Sequence, residues 1–314
     1  MPSLAAVRAA NAAFSPSYFP VAVFVGGTAG IGKAIAQSFA RVTKGNAHIV
    51  IVGRNKAAAE SVIASFPKPT APEAKHEFVA CEDAALMRSV RTTTSTLLER
   101  LSKINFLVIS AGFWSWKGRD ETDEGIDRRL GLHYYERWKF IHDLLPLLRK
   151  AKDAGEDAKA ISVLAAGVGG TSIDVDNLGL RKNYIMSKPG VAGPTYTDLM
   201  MQSYAEQNPG LSFVHTYPGI VRSELLTRSH WSMRVLNPLL QALFYPVSYS
   251  PEDCGEYMLY ALLQAPAGVA RYNAQGDDIG RSPLYDAVDV RTRLWEHTKE
   301  EVEGALAKHD ATGA

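Results

Sequence analysis

The chain has 314 residues, with 34 Lys+Arg against 33 Asp+Glu and a formal net charge of +1. That balance argues against a nucleic-acid binder, which carries a dense basic stripe, and 46% hydrophobic with 21% charged residues excludes a disordered chain. The two cysteines, Cys81 and Cys254, are far apart, which excludes a disulfide framework or zinc ribbon and fits a reducing, cytoplasmic compartment.

No apolar run reaches the roughly 18–20 residues needed to span a bilayer. The opening MPSLAAVRAANAAF lacks both the apolar core of a secretory signal and the arginines of a transit peptide. Residues 1–19 therefore read as an extension carrying a short helix over the first strand.

Val21–Val25 (VAVFV) reads as a buried strand, followed by glycine-rich sequence and a helix over 31–42. A strand at 48–52, a helix at 56–66 and a weaker strand at 76–80 come next. A long helix at 84–103 leads to a strand at 106–110. A second long helix, 124–150, carries apolar Ile126, Leu130, Tyr134, Ile141, Leu144 and Leu148 at helical spacing. Further strands are expected at 160–164 and 211–216. Strands written as continuous apolar runs are buried on both faces, as in a parallel sheet covered by helices. The strand–helix alternation predicts an α/β, doubly wound Rossmann fold, and with no linker to divide it residues 1–314 read as a single domain.

Directly after the first strand stands Gly26-Gly27-Thr28-Ala29-Gly30-Ile31-Gly32, opening into a helix. Glycines there allow a tight turn and a close backbone approach to a pyrophosphate, whose charge meets the helix N-terminus. The strand–turn–helix context makes this a dinucleotide loop rather than a plain turn. After the second strand comes Gly53-Arg54-Asn55, with no acid between Val52 and Glu60. A carboxylate at that point would accept from a ribose 2′-hydroxyl, whereas a guanidinium suits a 2′-phosphate, so NADP(H) is expected over NAD(H).

The spacing Gly26-x-x-x-Gly30-x-Gly32 resembles that of the short-chain dehydrogenase/reductase family, over about residues 20–275 and with several motifs in the family's order. The resemblance implies that Glu82 or Asp83 contacts the adenine. It sets Ser110-Ala111-Gly112 where the family writes Asn-Ala-Gly below the cofactor. Pro218-Gly219-Ile220-Val221-Arg222-Ser223 resembles the Pro-Gly turn that meets the nicotinamide, with Ser223 keeping the hydroxyl of the usual Thr.

Tyr184-Ile185-Met186-Ser187-Lys188 matches the family's Tyr-x-x-x-Lys. A phenol protonates the carbonyl oxygen as hydride arrives, and an ammonium beside it lowers the phenol's pKa. Four residues of separation would put both on one face of a helix. The rest of the catalytic pattern departs. The position of the family's serine reads Ala166, with Thr171 or Ser172 as substitutes from the following loop, and the family's asparagine aligns with His133, a candidate proton relay. Pro189 after Lys188 disfavours α geometry in the lysine, which sets it at a helix end.

On the substrate side, Phe113-Trp114-Ser115-Trp116 leaves the carboxyl edge of the sheet, where ligands of such folds bind, and points to an apolar or aromatic substrate. The apolar stretch Trp231–Val247 reads as a helical substrate lid within about 224–250. The charged tail from about 286 to 314 reads as a helix for the surface or for contact in a homo-oligomer. The function implied is an NADP-dependent ketone reductase, or secondary-alcohol dehydrogenase, similar in style to fungal secondary-metabolism members. The alternative is a nucleotide-binding protein with an eroded redox site, serving as sensor, scaffold or catalyst of a non-redox rearrangement. Neither reading involves a metal, a nucleic acid or a transmembrane segment.

Overall fold

Wholly apolar runs such as VAVFV and FLVI need cover on both faces, and they form the centre of one seven-stranded parallel sheet. The computed structural model describes residues 1–115, 117–222, 245 and 248–312. The strands are β1 (Val21–Val25), β2 (His48–Gly53), β3 (Lys75–Ala80), β4 (Phe106–Ile109), β5 (Lys159–Val163), β6 (Ser212–Thr216) and β7 (Gly268–Tyr272), in the order β3-β2-β1-β4-β5-β6-β7. Register is continuous across the middle, with Val25 opposite both Val52 and Ile109, and Val163 opposite Thr216.

Because side chains alternate along each strand, the sheet feeds two cores. Val21, Val23, Val25, Leu107 and Ile109 face one core. Its helices are α4 (Met87–Arg100), α6 (Glu136–Asp153), α7 (Lys188–Gln207) and α9 (Val288–Thr312). Ala22, Phe24, Ile49, Ile51 and Val108 face the other core, which is covered by α2 (Gly30–Val42), α3 (Lys56–Ala64) and α8 (Pro251–Gln264). The expected doubly wound architecture is the one observed.

Several expectations change in detail. The N-terminal helix α1 (Leu4–Ala12) packs on α8 rather than directly over β1: Arg8 pairs with Asp253, and Asn11 donates to the Glu256 carbonyl and carboxylate at 2.9 Å. The long helix expected from 124 begins later and in pieces. Asp127 caps a short turn, α5 (Arg128–Leu130), and a π-helical turn over Gly131–Tyr135 precedes α6. The edge strand β7 and helix α8 escaped the sequence reading; β7 (GVARY) is interrupted by Arg271 and only partly buried. Most of the expected lid, with Trp116 and Ser223, lies outside the described residues.

Candidate active site

β1 ends at Val25, and Gly26 turns the chain at φ +84° with its N–H donating to the Val52 carbonyl. This places the loop across the carboxyl ends of β1 and β2. A Cβ on Gly26 would stand 2.6 Å from the Ala111 backbone nitrogen, and one on Gly32 2.2 Å from Ser110 Oγ and 2.5 Å from the Gly26 carbonyl oxygen. The loop and the Ser110-Ala111 segment are thus in direct backbone contact. Ala29 begins α2 with no side-chain cap, so the first amides of that helix, around Gly30, Ile31 and Gly32, offer free donors with the positive end of the dipole behind them. Such a cradle fits the diphosphate of a dinucleotide.

Gly53 lies against Thr28, since a Cβ there would meet Thr28 Cγ2 at 2.7 Å. The exposed Arg54 therefore follows immediately beside the loop. Asn55 is the N-cap of α3, accepting from Ala58 N at 3.0 Å. Of the two acids expected at the adenine, Glu82 is exposed, while Asp83 accepts from Arg128 at 2.6 Å and from Ala85 N at 3.0 Å. Ser110 donates to the Val25 carbonyl at 3.0 Å, so it fastens β4 to β1. Gly112 is exposed beyond it. Beyond the carboxyl end of β6, Gly219 turns at φ +73° against Ala274 and Tyr249, and a bridge from Val221 to Tyr249 holds the segment after Pro218.

The catalytic pattern is arranged differently from its sequence expectation. α7 starts only at Lys188, with Pro189 at its first turn, so Tyr184 lies in the preceding loop and the two do not share a helix face. Lys188 Nζ turns back and donates to the Asn183 carbonyl at 2.6 Å. The Tyr184 hydroxyl instead accepts from Arg129 Nη2 at 2.7 Å and donates to Asp127 Oδ2 at 3.2 Å. Burial raises the phenol's pKa above its ordinary value, the Arg129 hydrogen bond opposes the rise and the Asp127 charge adds to it.

His133 sits in the π-helical turn with its ring 5.8 Å from that of Phe113. Burial, then the charges of Arg137 and Arg129, push its pKa down to about 3. It is therefore neutral near pH 7, and among the described residues no hydrogen bond joins it to Tyr184 or Lys188. Ala166 is buried at the position of the family's serine, while Thr171 and Ser172 are exposed on the loop beyond.

Two groups of residues were missed in the sequence. Arg137, fully buried, donates Nε to Ser162 Oγ at 3.0 Å and Nη2 to the Ala111 carbonyl at 2.8 Å, and Nη1 reaches the Leu132 carbonyl. It ties the segment after β4 to β5 and the π-helical turn. Below the loop after β5, His215 pairs with Asp198 at 2.6 Å and accepts from Ala165 N at 3.3 Å, and Arg271 donates to the same carboxylate at 3.1 Å. An acid-then-basic cap at Asp127-Arg128-Arg129 was the available signal for the Tyr184 partners. Nothing local marks Arg137 or His215.

Among the described residues no helix is long and apolar enough to cross a membrane, and no group of His, Cys, Asp and Glu could hold a metal ion. The sequence pattern of the family described as short chain dehydrogenase matches residues 20–232. Oxidoreductase AN1596 of Emericella nidulans is 33% identical over 267 residues, which is 84% of this chain and 78% of that protein. Short-chain dehydrogenase/reductase SAT2 of Stachybotrys chartarum is 30% identical over 297 residues, covering 88% of this chain and 80% of its own. In fold, the chain is similar to a crystal structure of a protein from Mycobacterium paratuberculosis, with a TM-score of 0.64 at 18% identity, covering 93% of this chain and 97% of that one. With the glycine loop, the parallel sheet and these matches together, the chain belongs to the short-chain dehydrogenase family.

Proposed function

We propose that this protein is an NADPH-dependent oxidoreductase that reduces a ketone, or in reverse oxidises a secondary alcohol, on a bulky apolar small molecule. The observation that carries the reading is the cradle at Gly26–Gly32, where side-chain-free backbone meets Ser110-Ala111 ahead of an uncapped helix. Arg54, exposed beside that cradle, supports a 2′-phosphate and hence NADPH. Exposed Trp114, Ile185 and Ile220 on segments at the carboxyl edge of the sheet support an apolar substrate.

When bound, the nicotinamide supplies the hydride. This chain's own part is to hold the diphosphate at the α2 N-terminus and to deliver a proton from Tyr184 Oη to the carbonyl oxygen as the C–H bond forms. Burial and the Asp127 charge hold the phenol protonated at neutral pH, as a general acid requires. Loss of redox chemistry is the weaker reading, because both the cradle and a hydrogen-bonded phenol persist.

The test follows NADPH oxidation across a panel of aromatic and alicyclic ketones. Tyr184→Phe should lower turnover by about 10², the usual size of a lost general acid, with NADPH affinity unchanged. Equal activity in the variant would remove Tyr184 from the reaction.

A further inference from the structure

The family pattern expects an ammonium to stand by the phenol, yet the lysine of that pattern is bound elsewhere. Lys188 Nζ is taken up by the Asn183 carbonyl at 2.6 Å. The cation that touches the phenol oxygen is Arg129, at 2.7 Å, and its guanidinium carbon also lies 5.7 Å from the centre of the Tyr184 ring. We propose that Asp127, the cap of α5, and Arg129, within α5, are the positioning and charge-tuning residues of Tyr184, with Arg129 in the role that the family pattern gives to Lys188. The inference rests on reading Tyr184 as the proton donor.

The geometry gives each group a defined task. Arg129 is itself held in place, since Nη1 donates to the Met186 carbonyl at 2.8 Å, and so it bridges α5 to the Tyr184 loop. Asp127 is buried, and its Oδ1 accepts from the Arg129 and Leu130 amides at 3.1 Å while Oδ2 accepts the phenol proton's hydrogen bond. One carboxylate therefore caps α5 and orients the phenol. A guanidinium stays charged at any pH the protein survives, and its fixed donors stabilise a phenolate as the proton leaves. In the reductive direction the proton passes from Tyr184 Oη to the carbonyl oxygen, whose C=O electron pair accepts it as hydride reaches the carbon. The phenolate that remains accepts from Arg129 until water reprotonates it.

The other charges near this turn are committed elsewhere. Arg128 pairs with Asp83 at 2.6 Å and stands 3.9 Å from Asp120, and Arg119 pairs with Glu121 at 2.8 Å. Lys188, at the start of α7, donates to the Asn183 carbonyl.

The test reads the phenol directly, in cofactor-free protein. With tyrosine labelled at the ring carbon that bears oxygen, the Tyr184 signal is identified by its loss in Tyr184→Phe and titrated with pH. Arg129→Met should raise the Tyr184 pKa by about one unit or more, and Asp127→Asn should lower it, because an adjacent opposite charge favours the ionised form and a like charge disfavours it. Arg129→Lys should recover most of the wild-type value, which a merely structural role would not predict. Lys188→Met should leave the titration in place. A shift in Lys188→Met with none in Arg129→Met overturns the inference, as does a titration unmoved in all of these variants. Full turnover in Tyr184→Phe would instead sink the proton-donor reading, so the two failures are distinguishable.

Discussion

Gly32 and Ser110 occupy one another's space: a single added carbon on Gly32 would stand 2.2 Å from the Ser110 hydroxyl oxygen. The first turn of α2 and the residue that follows β4 are therefore packed to contact through the Ser110 hydroxyl, and the Gly26 carbonyl closes the same gap at 2.5 Å.

It follows that Gly32→Val should abolish nucleotide binding and cost about 1–3 kcal/mol of stability, the usual penalty of overpacking. Ser110→Ala should not rescue it, because the Gly26 backbone oxygen remains in the way. Calorimetric titration with NADPH and a denaturant melt read both effects. Wild-type affinity in Gly32→Val would make the loop a structural turn only.

The role proposed for Arg54 is to set the cofactor preference. NADPH should bind at least about tenfold more tightly than NADH, equivalent to about 1.4 kcal/mol. Arg54→Ala should remove that preference by weakening NADPH alone, since its guanidinium would touch only the 2′-phosphate. Equal binding of the two cofactors by the wild type would refute the assignment.

The buried pair Glu136 and Arg137 predicts an unusual dependence on pH. Burial pushes the Glu136 carboxyl up to about 8, against the pull of Arg137, and its Oε1 has no hydrogen-bond partner. A carboxyl raised in the folded state contributes stability below its unfolded value, near 4.3, and loses it as pH rises towards 8. Glu136→Gln should flatten that decline and make the chain more stable than wild type at pH 9. Denaturant midpoints from pH 5 to 9 measure it, and parallel curves would disprove the shift.

Arg137→Met should cost about 3–5 kcal/mol, since it leaves the Ala111 and Leu132 carbonyls and Glu136 without their buried partner. In Glu136→Gln/Arg137→Met little of the loss should return near pH 7, because Glu136 is already protonated there. A loss under about 1 kcal/mol would show that water replaces the guanidinium.

Most of the sheet and the glycine loop after β1 were legible in the sequence for a local reason. The central strands are short apolar runs, and Gly26-x-x-x-Gly30-x-Gly32 lies wholly at the junction of one strand and one helix. Such signals need no knowledge of distant residues. What surrounds the Tyr184 phenol was decided only by tertiary structure. Pro189 prevents α7 from extending back over Tyr184, and the loop that results brings the phenol to Asp127 and Arg129, more than 50 positions earlier in the chain. Hydrogen bonds between residues so far apart leave no periodicity to read, and the same holds for Arg137 with Ala111 and for His215 with Asp198.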